Sequence, residues 1–194
     1  MTCRSLPSVL LLLLGLSPAG GSAAGWDPLE ATANRAIPVE VAPRAADEVR
    51  AVSAAVLIDA GAEPVWEAMV DCGAAPEFVP GLKACSVLET APDGLSQSIA
   101  HEVRYGWFLP RVRYVFDATY QPLRRVDFEK TSGDLRHLSG AWTLEALAPA
   151  STLVTYSVRI DPGFLVPQWM VRNALKRDLP ELLEALRQRV EAGL

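Results

Sequence analysis

Histidine and cysteine are scarce: two and three in 194 residues. A metal centre built on imidazole and thiolate ligands therefore has almost nothing to draw on, and neither a metal nor another cofactor is expected. Positive charge is also short. Lys and Arg number 18 against 23 Asp and Glu, a net charge of −5, so no nucleic-acid partner is expected, because such a partner asks for a basic face. No serine sits in the sharp Gly-flanked turn that exposes a catalytic nucleophile. Ser98, Ser139 and Ser157 lie in alternating stretches instead. The longest apolar run, Val9 to Leu16, is about half the ~20 residues of a membrane span. No segment repeats.

What the N-terminus does contain is the pattern of an export signal. Arg4 supplies the positive start, Val9 to Leu16 the apolar stretch and Ser22-Ala23-Ala24 the small-residue cleavage site. Cys3 precedes the apolar run, so it is not placed as a lipoprotein cysteine. Residues 1–24 are expected to be a signal peptide, giving an exported chain, periplasmic or secreted, that begins near Gly25. About 170 residues then remain, enough for one domain with a real core. Residues 25–47, punctuated by Pro28, Pro38 and Pro43, read as a linker or extended arm, and 48–194 as the domain.

Within that domain the hydrophobic period changes twice. A strand is expected from about Val49 to Ile58, then a helix opened by Pro64, whose missing N–H is tolerated in a first turn. A second short helix follows at about Ala75 to Val79, stopped by Pro80-Gly81. From Leu82 the period is two. Strands are expected at about Lys83–Glu89, Leu95–Tyr105, Arg111–Tyr120, Arg125–Thr131, Arg136–Leu147 and Thr152–Ile160. Tyr114, Phe116, Ala118 and Tyr120 share one strand face, Leu138, Trp142 and Leu144 another, Val154, Tyr156 and Val158 a third. Arg113, Asp117, Thr143, Glu145 and Arg159 occupy the opposite faces, the signature of a sheet with one wet side.

A final helix runs from near Pro167 to Glu191. Its stripe of Val171, Leu175, Leu179, Leu182, Leu186 and Val190 recurs at three and four residues, and its length, roughly 35 Å, would cross the sheet. Pro180 should kink it, and Glu184 should pair with Arg187 on its outer face. The fold class is therefore α+β: a curved antiparallel sheet of about seven strands wrapped around a long C-terminal helix, with two short helices after the first strand.

Particular residues also resemble a known family. They are Pro64-Val65-Trp66 with Asp71, Pro76-Glu77-Phe78-Val79-Pro80-Gly81, Gly140-Ala141-Trp142-Thr143-Leu144, Thr155-Tyr156, and Leu179-Pro180-Glu181-Leu182-Leu183. Together they resemble the START-like, polyketide cyclase/dehydrase superfamily with its helix-grip fold, and within it the coenzyme-Q-binding START-like branch. The resemblance implies an internal apolar cavity and a hydrophobic small molecule or lipid as partner, an isoprenoid quinone being the branch's example. The alternatives are a polyketide cyclase or dehydratase using the same cavity, and a fold filled by its own side chains that acts as a ligand-free protein-interaction module.

The cavity residues are read from the inward strand faces and the helix stripe: His101, Val103, Tyr105, Tyr114, Phe116, Phe128, Trp142, Tyr156 and Leu175. His101 is the candidate for orienting a ligand carbonyl or hydroxyl, and Lys130 is a weaker one because its stem can reach out to water. His137 should face away, so the histidines do not converge. No catalytic residue is assigned; Asp71 and Glu77 are placed as helix-end residues. Cys72 and Cys85 are either a disulfide, worth roughly 3 kcal/mol for a loop of this size, or two buried thiols.

In an uninterrupted meander, the turn holding Trp107, Phe108 and Leu109 and the loop holding Phe164, Leu165 and Val166 share one end of the sheet. Either both tips fold inward and plug the end of the core, or with Trp169 they rim the cavity mouth and touch a membrane peripherally, Arg104, Arg111 and Arg113 meeting anionic headgroups. A monomer is expected.

Overall fold

The computed structural model describes residues 26–42, 51–104, 111–163 and 168–193. The N-terminal arm is ordered by local chemistry. Asp27 caps the single helical turn α1 (Pro28–Ala31), its Oδ1 accepting the N–H groups of Leu29 and Glu30 at 2.9 and 3.3 Å. A 3-10 turn (Ala33–Arg35) and strand β1 (Val39–Val41) follow. Strand β2 (Ala51–Ile58) leads to helix α2 (Ala62–Val70) and the short α3 (Ala75–Phe78). Five hairpins then connect β3 (Leu82–Thr90), β4 (Ser96–Val103), β5 (Val112–Gln121), β6 (Arg125–Gly133), β7 (His137–Ala148) and β8 (Ser151–Asp161), and helix α4 (Gln168–Glu191) closes the chain.

Among the described residues the sheet has eight strands, all antiparallel, in the order β1-β2-β8-β7-β6-β5-β4-β3. The strand beyond the expected seven comes from the arm, where Val39–Val41 pairs with Val52–Ala54. Three residues carry too little pattern to announce themselves as a strand; pairing with β2 makes them one. The expected signal segment, residues 1–24, and the expected start of the first strand at Val49 lie outside the described residues.

Two apolar clusters make the core. One joins β2 and β8 to α4 through Val56, Val154, Leu183 and Leu186, all essentially fully buried. The other lies across β4 to β7 and contains Ile99, Phe116, Val126, Phe128 and Leu138. Trp66, Met69, Trp142, Tyr156 and Leu175 touch both clusters. Each fully buried leucine contributes about 2–3 kcal/mol, so the α4 stripe anchors the helix on the β2–β8 side of the sheet. Helix α4 runs unbroken through Pro180.

One expectation about α4 is corrected. Glu184 and Arg187 do pair, but Arg187 is only 8% exposed. Its Nη1 donates to the Arg35 carbonyl at 3.0 Å, beneath the arm. Arg35 in turn forms ion pairs with Asp59 and, at 2.8 Å, with Glu191. A sequence period marks a helix face as polar; it does not show that a separate segment covers that face.

Gly140 on β7 faces Phe128 on β6. A Cβ there would lie 2.2 Å from the Ser157 carbonyl oxygen and 2.4 Å from Phe128 Cζ. The missing side chain is thus what lets the Phe128 ring lie over β7. Gly140→Ala is expected to destabilise the protein by about 3 kcal/mol, the upper end for overpacking, measured by urea unfolding. A change below about 0.5 kcal/mol would show that the ring has free room to move.

Candidate functional site

Between the two clusters lies a cavity of about 190 Å³. Its sheet-side wall is a run of aromatic rings. His101 lies edge-on to Phe116 at 4.8 Å between ring centres, Phe116 meets Phe128 at 6.1 Å, and Phe128 stacks on Tyr156 at 5.9 Å. Tyr156 then meets Trp142 at 4.2 Å. Leu182 and Leu186 of α4 form the opposite wall. Met69 and Val70 of α2, with Phe78 and Val79 at α3, close one end.

Of the cavity residues read from sequence, the structure brings together His101, Tyr114, Phe116, Phe128, Trp142 and Tyr156. Val103 and Leu175 are not among the lining residues; Leu175 instead packs against both core clusters. Tyr105 lies outside the described residues, as do Trp107, Phe108, Leu109, Phe164, Leu165 and Val166 at the expected mouth. Trp169 is described and is 60% exposed. Lys130 does not line the cavity.

The sequence reading left out other lining residues. Tyr120 and Ala118 share the alternation that had already singled out Tyr114 and Phe116, and Leu182 and Leu186 belong to the α4 stripe. Met69 and Phe78 gave no such signal, since an apolar helix face looks the same whether it meets side chains or an open space.

The cavity's polar groups are few. His101 Nδ1 lies 3.2 Å from the Tyr114 hydroxyl, its cross-strand neighbour. Burial pushes the imidazole down to about 4, because a low-dielectric site penalises the charged form. The ring is therefore neutral at physiological pH. In the tautomer in which the Tyr114 hydroxyl donates to Nδ1, Nε2 carries the proton and can donate to a ligand oxygen. Elsewhere on the wall, the Tyr120 hydroxyl donates to Gln97 Oε1 at 2.8 Å, and burial pushes its pKa above the ordinary phenol value.

The remaining candidates are held by structure. His137 Nε2 sits 2.9 Å from Ser139 Oγ, and Ser157 bonds Ser53. Asp71 Oδ1 accepts the Ala74 N–H at 3.1 Å, and Glu77 pairs with Arg189 at 3.2 Å. Among the described residues no three His, Cys, Asp or Glu side chains gather as a metal site requires. Arg111 and Arg113 both bind Glu102, at 2.6 and 2.8 Å, and Arg113 holds that carboxyl below its usual range. Both guanidinium side chains remain exposed to solvent while paired. Cys72 and Cys85 form a disulfide, with Cα atoms 5.4 Å apart, and both line the cavity.

The outer sheet face carries a wider depression of about 1730 Å³, beside Trp26 and Leu29 of the arm. It is lined by Asp117, Thr143, Glu145 and Arg159 and by the Arg125–Asp127 ion pair. This is the wet side of the sheet, and it lacks the desolvation of the inner cavity.

Comparison with solved structures places this geometry. A STAR-related lipid transfer protein from Xanthomonas axonopodis is similar at 20% identity, covering 80% of this chain and 93% of that one, with a TM-score of 0.69. A START superfamily protein from Mycobacterium smegmatis aligns at 24% identity over 74% of this chain and 99% of that one, TM-score 0.65. The Zhui aromatase/cyclase from Streptomyces sp. R1128 aligns at 19% identity over 73% and 93%, TM-score 0.64. At these identities the likeness establishes a shared fold, the START-like helix grip. Among curated proteins no sequence matches significantly. The model of one family, described as polyketide cyclase / dehydrase and lipid transport, matches residues 58–187. The chain belongs to the polyketide cyclase/dehydrase and lipid transport family.

Proposed function

We propose that this protein binds and carries a hydrophobic small molecule, or the ring end of a lipid, in the cavity between sheet and α4. The observation that carries the reading is an aromatic-walled space of about 190 Å³ with one desolvated, neutral histidine in its wall. Apolar burial supplies the affinity at roughly 25 cal/mol per Å², and the His101 Nε2–H orients a ligand oxygen. A quinone ring with a carbonyl acceptor suits this chemistry. The Cys72–Cys85 disulfide supports export, since such bonds persist in oxidising compartments. The alternative, a cyclase or dehydratase, needs a convergent acid and base. An imidazole whose pKa has fallen to about 4 is a poor base at neutral pH, which favours the carrier.

Native mass spectrometry of protein recovered from its exporting host tests both parts of the reading. The expected spectrum shows a chain beginning near Gly25 with an apolar molecule bound, lost on denaturation. Empty protein that takes up no ligand from a lipid extract would overturn the carrier reading.

Histidine burial has a pH consequence. Because the folded pKa, about 4, lies below the unfolded value of 6.5, the unfolded chain binds more protons between those limits. Stability should therefore be full above pH 6.5 and fall as pH drops towards 4, by at most about 3 kcal/mol. His101→Gln should remove that component from a pH series of urea melts. Superimposable pH profiles for the two proteins would contradict the burial.

Membrane contact is part of the same proposal. Exposed Trp169, Arg172 and Lys176 stand at three- and four-residue steps along the first turns of α4, an aromatic-and-basic stripe suited to an anionic interface. Trp169→Ser should reduce flotation with phosphatidylglycerol-containing liposomes several-fold. Equal flotation of the two folded proteins would remove Trp169 from the contact.

A further inference from the structure

We propose that the Cys72–Cys85 disulfide determines which ligands the cavity admits: by tying the α2–α3 turn to the edge strand β3 it restricts the space to a compact ring system and shuts out long chains. This rests on reading the cavity as a ligand site.

The wall at this place is thin. Asp71 is exposed to solvent yet lines the cavity, and both cysteines line it while remaining partly exposed. Solvent and cavity are thus separated here by little more than the bridge itself. Cys85 stands opposite His101 in the β3–β4 register, so the bridge borders the polar part of the site.

Apart from the bridge, the elements it joins are held by non-covalent packing alone: Phe78 and Val79 lie against the α4 core cluster, and Ala74 and Leu82 on either side of α3 are buried. Strand β3 is the last of the sheet, pairs with β4 alone, and is exposed or half-exposed at every residue after Leu82. Helix α3 is a single turn with no fully buried residue and no side-chain N-cap; one turn has no stability of its own. From the other side Arg189 of α4 reaches Glu77 at 3.2 Å and Asp71 at 3.8 Å, and lies over the Phe78 ring at 5.7 Å. Glu77 is 71% exposed and Asp71 46%, and ion pairs so open to water restrain little. The covalent link is the strong restraint.

Size makes that restraint selective. A space of about 190 Å³ is slightly larger than one that takes a benzene ring, and below the ~300 Å³ at which drug-sized sites begin. A long acyl or isoprenoid chain enters only if a wall moves. Ala75, Phe78 and Val79 form the wall nearest the bridge, and Cys72 holds the turn from which α3 departs. With the bridge in place this wall stays on β3; without it α3 is free to swing away.

The test compares oxidised wild type with a Cys72→Ser/Cys85→Ser double variant, using 2-naphthol as a compact probe and a long-chain fluorescent fatty acid as an extended one. Both proteins should bind 2-naphthol within about twofold, and the variant should bind the fatty acid at least about tenfold more tightly. Amide exchange should quicken at residues 73–81 and stay unchanged in β8. Wild type reduced with a dithiol, which becomes a cyclic disulfide as the two cysteine thiols form, should behave like the variant and provides a second measurement. Equal fatty-acid affinity in both states, with 2-naphthol still bound, overturns this inference alone, as does unchanged exchange at residues 73–81. Loss of fold in both the variant and the reduced protein also overturns it, since the bridge would then be a requirement of the fold. Failure of both probes in every form overturns the ligand-site reading and this inference with it.

Discussion

The apolar seam between α4 and the β2–β8 part of the sheet is the contact on which the rest of the molecule depends. Leu179, Leu182, Leu183, Leu186 and Val190 are buried against strands whose inward residues, Val56, Ile58 and Val154, are completely shielded from water. This burial fixes the helix at one side of a broad, curved sheet. The sheet continues beyond the reach of the helix to β3, and α2 and α3 cover that remainder only in part. The cavity is the volume left between them. A close-packed interior normally leaves no such space, so its persistence depends on a rigid seam on one side and a light covering on the other.

Desolvation governs the chemistry of that space. A wall of Phe116, Phe128, Trp142 and Tyr156 removes water from His101 and holds it neutral. Its Nδ1 lies within hydrogen-bond distance of the Tyr114 hydroxyl, so the one imidazole of the wall is uncharged and locally partnered. The wall itself depends on Gly140, whose missing side chain admits the Phe128 ring. A backbone position on β7 therefore shapes the site without a side chain of its own.

The family contains carriers and ring-forming enzymes, as its description indicates, and the fold accommodates both because it supplies a cavity and leaves the polar groups to the individual sequence. Here those groups are His101, Tyr114, Tyr120 and Tyr156 and, at the solvent edge, Asp71. The disulfide adds covalent restraint where the covering is lightest, at the junction of a one-turn helix and an edge strand.

Much of this was legible in the residues. Alternation in Tyr114, Phe116, Ala118 and Tyr120 marks the inward face of β5, and the leucine stripe of α4 marks the face that closes the grip, because strand and helix periods follow directly from backbone geometry. Turn residues between the strands give the meander. Other features depend on distances between segments remote in sequence, which no period encodes. Cys72 and Cys85 are 13 residues apart, and only the approach of the α2–α3 turn to β3 brings their Cα atoms within bonding range. Arg187 reads as a surface cation but is buried by an arm some 150 residues away. Met69 and Phe78 read as packing and do pack against the core, yet they also line the cavity, since periodicity reports that a face is apolar and not what lies across from it. Local periodicity thus determined the elements and their inward faces, whereas the meeting of distant surfaces decided the size of the cavity, its polar group and the bridge at its edge.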